Sequence, residues 1–94
     1  MELSFGDFIW DSEKERVNID KHGISFVMAA KAFEDSRRKI YADSKHSKEE
    51  PRLFCIGKVE DRIITVRFIY RHDKIRIFGA GCWRRGVSYY EKED

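Results

Sequence analysis

The stretch TVRFIYRHDKIRIFGAGCWRRGVSYY, from Thr65 to Tyr90, constrains the fold more than any other part of the chain. Two alternating runs, Thr65–Arg71 and Lys74–Phe78, flank the dipeptide His72-Asp73, the pattern of an antiparallel hairpin with a tight turn. Strand side chains repeat with a period of two, so Val66, Phe68 and Tyr70 fall on one face with Ile75 and Ile77. Thr65, Arg67, Ile69 and Arg71 fall on the other with Lys74, Arg76 and Phe78. This register pairs Arg71 with Lys74, Ile69 with Arg76 and Arg67 with Phe78. One face is therefore core and the opposite face a cationic sheet surface. Between Arg62 and Gly86 there are seven lysines and arginines against one acid, Asp73.

The chain of 94 residues is expected to form one domain, residues 1–94, with room for a single modest core. Its formal net charge of +2 hides an asymmetry. Residues 1–36 carry four bases and eight acids, whereas residues 37–94 carry fifteen and nine, so −4 faces +6. An acidic helical half and a basic sheet half imply two surfaces with opposite preferences in partner. No apolar run is long enough to span a bilayer and no signal peptide is expected. Cys55 and Cys82 fit a reduced cytoplasm better than a disulfide framework.

In chain order, Phe5–Trp10 alternates and is expected to be the first strand. Asp11 or Ser12 can cap a helix that ends at Gly23, and Ser12-x-x-Glu15 matches a capping box. Ser25 can cap a second helix, in which Phe26, Ala29, Ala30 and Phe33 recur at helical spacing. Arg37–Ala42 reads as a strand, Asp43–Pro51 as a charged loop containing His46, and Arg52–Val59 as a strand. A turn at Glu60-Asp61 leads into Arg62–Arg71 and then Lys74–Phe78. Leu53, Cys55 and Gly57 then join the core face, and Arg52, Phe54 and Lys58 the cationic one. Gly79-Ala80-Gly81 is expected to end the last strand, before a short terminal helix. The expected fold is α+β: β-α-α, a four-stranded antiparallel meander, and a C-terminal helix. The apolar residues on the cationic face (Phe54, Ile56, Ile63, Ile69) imply that something covers it.

Phe8-Ile9-Trp10-Asp11, Lys14, Asn18, Lys21-His22-Gly23, Phe26, Ala30, Phe33 and Asp35 resemble the N-terminal signature of the BrnT family. The later pattern of Arg52, Ile56-Gly57, Val66, Tyr70-Arg71 and Ile75-Arg76-Ile77, with a basic tail containing tyrosine, is similar too. This resemblance implies a RelE-like ribonuclease fold and an RNA-cleaving toxin that arrests growth. It implies a BrnA-type antitoxin partner, with promoter DNA contacted only through the toxin–antitoxin complex. Many members follow the last strand with Ser-Ala-Arg, where this chain has Gly79-Ala80-Gly81, so the arginine expected at 81 is absent. Arg84 and Arg85 are the candidates to replace it.

The residues support such chemistry in their own right. Cleavage of RNA by its neighbouring 2′-hydroxyl needs alignment, charge neutralisation at phosphorus and proton transfer, and does not require a metal. The planar fork of arginine suits bidentate contact with phosphate. Arg71, Arg76, Arg84 and Arg85 are the catalytic candidates, with Tyr89 and Tyr90 as phenols that a cationic neighbourhood would push toward ionisation. Arg52, Arg67 and Lys74 are candidates for RNA contact, and Phe54, Phe78 and Trp83 for base stacking. His22, His46, His72, Cys55 and Cys82 are too scattered for a metal site, and no cofactor is expected. Without catalysis, the same cationic face would make a nucleic-acid-binding or antitoxin-docking module.

Overall fold

The computed structural model describes residues 1–45 and 49–92, so His46 lies outside the described residues. Strands β1 (Glu2–Phe5) and β2 (Phe8–Asp11) precede helices α1 (Ser12–His22) and α2 (Phe26–Ala30), and α2 runs into a 3₁₀ turn, Lys31–Glu34. Then come β3 (Lys39–Ala42), β4 (Leu53–Val59), β5 (Arg62–Arg71), β6 (Lys74–Gly81) and helix α3 (Arg84–Glu91). The strands form one six-stranded mixed sheet in the order β1-β2-β6-β5-β4-β3. No helix among the described residues is long and apolar enough to cross a membrane.

The α+β class and the antiparallel run β3 to β6 agree with the sequence reading; the N-terminal arrangement corrects it. The first segment is not one strand over Phe5–Trp10 but a hairpin turned at Gly6, whose φ of 60° suits glycine. Its second arm lies parallel to β6, with Phe8 opposite Ile75 and Ile9 opposite Arg76. This placement buries Trp10 and packs Phe8 against the core. The last strand also continues past Phe78 through Gly79, Ala80 and Gly81. It does so because Ala80 is fully buried opposite Val66 and its amide donates to Asn18 Oδ1 at 3.1 Å.

Local chemistry sets the helix ends. Asp11 caps α1 by accepting from the Lys14 amide at 3.2 Å, and Gly23, with φ 69°, closes it through a bond to the Ile19 carbonyl. The capping box is not formed. Glu15 instead accepts from Trp10 Nε1 at 3.0 Å and from the Phe26 amide at 2.8 Å, joining β2, α1 and α2. Asn18, the buried polar side chain of α1, donates to the Ile24 carbonyl at 2.9 Å while accepting from Ala80. It thus serves β6 where β2 no longer pairs with it. The core fills the space between α1, α2 and the inner sheet face, with Phe26, Phe68, Ile24, Ile64, Val66 and Ile77 all but fully buried. Its aromatic members meet edge to face, Trp10 on Phe26 and Phe33 on Phe68.

Candidate nucleic-acid interface

The outer face of the sheet is shaped by a bulge in the β5–β6 ladder. The pairs Arg71–Lys74 and Ile69–Arg76 form as the alternation requires, but a register shift between Arg67 and Phe68 puts Gly79, not Phe78, opposite Arg67. Bulges re-aim side chains in this way. Phe78 stays on the outer face and two glycines follow there. A methyl group at Gly79 would lie 2.8 Å from Arg67 Nε, and one at Gly81 2.7 Å from the Trp83 ring. The guanidinium and the indole therefore lie flat on bare backbone. Arg67 Cζ sits 5.5 Å from the Phe78 centroid and 5.8 Å from that of Trp83, and Arg52 Cζ sits 5.1 Å from Phe78. His22 meets the Trp83 ring edge to face, with centroids 5.2 Å apart.

Helix α3 covers part of this face. Gly86 rests on Thr65, where any Cβ would collide with Thr65 Oγ1, and the helix shields Ile56, which is 2% exposed. The cover expected over the apolar outer residues is in part supplied by the chain itself. Thr65 Oγ1 is buried here without a hydrogen-bond partner among the described residues. At the far end of α3 the Tyr90 hydroxyl donates to Asp35 Oδ2 at 2.5 Å, and Asp35 also accepts from the Lys58 amide at 2.7 Å and the Arg37 amide at 2.9 Å. Burial alone would raise the Asp35 carboxyl, but these hydrogen bonds outweigh it and hold the group below its ordinary value. The same bond to Asp35 pushes the Tyr90 phenol up, which corrects the expectation that Tyr90 would be driven toward ionisation.

Between α3 and the strands lies a groove of about 610 Å³. It is lined by Phe54, Arg67, Trp83, Arg85 and Tyr89, all named from the sequence, and by Ile56, Thr65 and Gly86 at its floor. Tyr41, Ala42, Asp43, Ser44 and Lys45 close its other side; sequence reading did not single them out. The register that sets Tyr41 opposite Phe54 is the signal that could have found them, and it depends on the length of the loop before β4. Tyr41 packs on Tyr89 at 4.8 Å.

The other candidates lie elsewhere. Arg71 is bound to Glu50 at 2.8 Å, Arg76 to Glu2 at 2.6 Å, and Lys74 lies 3.8 Å from Asp7. These partners come from the loop before β4 and from the N-terminal hairpin, whose position beside β6 the alternation does not reveal. The expected convergence of Arg71, Arg76, Arg84 and Arg85 is therefore not met: Arg85 lines the groove, and the other three do not. Among the described residues, Arg67, Arg84 and Arg85 pair with no carboxylate. No three His, Cys, Asp or Glu side chains among those residues gather as a metal site. Cys55 is buried, its thiol pushed up to about 12 by desolvation, and cannot act as a nucleophile there.

A groove that combines unneutralised arginines, flat aromatic rings and a bulged sheet gives physical context to the family comparison. Residues 10–86 match the model of a family described as ribonuclease toxin, BrnT, of type II toxin–antitoxin system. The chain belongs to the BrnT family. Comparison with curated proteins finds no match. Membership in this family implies an RNA substrate and an antitoxin partner. The match includes Arg52, Arg67, Phe78, Trp83 and Arg85 and ends at Gly86, so Tyr89 and Tyr90 lie beyond it.

Proposed function

We propose that this BrnT-family chain is a growth-arresting endoribonuclease of RelE-like fold that cuts RNA in the groove between α3 and the sheet, without a metal. The observation that carries this reading is the pairing of Arg67 and Arg85 in one groove, both without a carboxylate partner among the described residues. Two guanidiniums on a phosphate would neutralise the charge that grows as the 2′-oxygen attacks phosphorus and the 5′-oxygen departs. The attacking hydroxyl gives up a proton and the leaving oxygen takes one. Tyr41, Asp43, Lys45 and Tyr89 line the groove and can carry protons; of the two tyrosines expected from the sequence, the role falls on Tyr89 and not on the tethered Tyr90. Trp83 and Phe54 would hold a base by stacking. Arg71, Arg76 and Lys74 become structural charges in this scheme, and Arg84 a peripheral one.

The partners that accompany this reading are a BrnA-type antitoxin and, only through that complex, promoter DNA; the setting is cytoplasmic. The experiment is cleavage of a labelled RNA by the purified chain in EDTA. Persistent cutting that falls sharply in Arg67→Ala and Arg85→Ala supports the reading. Tight RNA binding with no cutting favours a non-catalytic module instead. Trp83 supplies the specific observation for that second reading: its ring occupies the space over Gly81, the position at which the resemblance leads one to expect the arginine of many members.

A further inference from the structure

Arg52 and Phe78 lie outside the groove lining, yet they continue a row of stacked groups that begins inside it. From the groove outward the row runs Trp83, Arg67, Phe78, Arg52, with guanidinium-to-ring spacings of 5.8, 5.5 and 5.1 Å. Its members come from the residue before α3, from β5, from β6 and from the residue before β4. Three backbone features make it possible. The bulge turns Phe78 and Gly79 to the same side, Gly79 leaves room for Arg67, and Gly81 leaves room for Trp83.

We propose that this row is a second RNA-binding element, a track that holds nucleotides adjoining the one in the groove and so selects single-stranded RNA. The proposal rests on the RNA reading above and extends it. A guanidinium stacked on a ring keeps its N–H edges for phosphate oxygens, while bases stack on flat faces of either kind. Paired bases in a duplex have no faces to offer, so the track requires unpaired ones. Charge favours an anionic occupant here: Arg67 meets no carboxylate among the described residues, whereas Arg71, Lys74 and Arg76 on the same hairpin each have one. Phe78 is a positioning residue, whose ring sets the guanidiniums of Arg52 and Arg67 relative to each other.

The test is fluorescence anisotropy of the full chain with non-cleavable 2′-O-methyl oligonucleotides of two, four and six nucleotides, over a salt series. Wild-type affinity is expected to rise roughly tenfold or more from the shortest to the longest, the scale of added stacking contacts. Phe78→Ala should lose most of that gain and Phe78→Tyr should keep it. Arg52→Ala should flatten the salt slope by about 0.7, one phosphate contact on a single strand. Thermal melts check the fold of the Phe78 variants, and Arg52→Ala, a change at an exposed residue, carries the test if Phe78→Ala unfolds. Equal binding of the longest oligonucleotide by wild type, Phe78→Ala and Arg52→Ala would overturn the track. Displacement of that oligonucleotide by an acidic peptide of matched charge and equal affinity would overturn it in favour of protein docking. Length-dependent binding through Phe78 in a chain that never cuts RNA would uphold the track and defeat the nuclease reading.

Discussion

The Tyr90 hydroxyl and the Asp35 carboxylate meet at 2.5 Å, tying the last helix to the turn before β3. Packing of Gly86 on Thr65 and of Tyr89 on Tyr41 also holds helix α3, but its N-terminus is poorly stabilised. Its first turn carries Arg84 and Arg85, which oppose the positive end of the helix dipole, and Trp83 offers no side-chain cap. Tyr90→Phe is therefore expected to destabilise the chain by about 1–2 kcal/mol, as for a hydrogen bond to a charged group, measured by denaturant unfolding. Loss of the groove in the same variant would appear as weakened RNA binding.

The same pair sets a pH window. Folding lowers the Asp35 carboxyl, so its contribution is full above the ordinary carboxylate value of 3.8 and is lost as pH falls through the depressed folded value. Folding raises the Tyr90 phenol, so its contribution is full below 10.0 and is lost as pH rises through the elevated folded value. Stability measured from pH 3 to 11 should fall away at both ends. Tyr90→Phe should remove the alkaline arm and shrink the acid one.

Gly81 and Trp83 test the missing arginine of the family pattern. Any side chain at 81 must displace the indole that lies over it. Gly81→Arg is expected to lower stability by ~1–3 kcal/mol, the range for overpacking, and to shift Trp83 fluorescence without raising cleavage. A gain in cleavage would show that Trp83 blocks an otherwise working site.

The arginines divide by their partners. Arg67→Ala and Arg85→Ala are each expected to slow RNA cleavage by ~10²–10³, the effect of removing one preorganised charge-stabilising donor. Arg71→Ala and Arg76→Ala should change the rate little, because Glu50 and Glu2 hold those side chains away from the groove. Single-turnover kinetics on one RNA substrate compares all four.

Asn18 joins three parts of the fold through the Ile24 carbonyl and the Ala80 amide. Asn18→Ala leaves both groups buried without their partner and is expected to cost about 2 kcal/mol or more in urea unfolding. Asn18→Asp keeps the acceptor for Ala80 but sets a buried carboxylate against the Ile24 carbonyl, so at neutral pH it should cost at least as much as Asn18→Ala.

The strands β4 and β5, the first part of β6, the turns between them and the caps of α1 and α2 were legible in the sequence, because each is encoded within a few residues. Alternation across Arg62–Arg71 specifies which side chains share a face, and Ser25 and Gly23 mark helix ends by their own hydrogen-bonding and conformational preferences. The candidate site was legible in kind and only partly in place. Arg67, Arg85, Trp83, Phe54 and Tyr89 share a groove, while Arg71 and Arg76 do not enter it.

What the sequence by itself determined is the two-faced hairpin, apolar inside and cationic outside, and the capped helices that cover its inner face. Only the tertiary structure decided that β2 lies beside β6, that a bulge hands Arg67 to Gly79 and that α3 crosses the outer face. It alone chose which arginines carboxylates neutralise. Those outcomes join residues far apart in the chain, as Glu2 and Arg76 are. Their closure entropy is offset only when the whole core forms, so no local pattern can carry them.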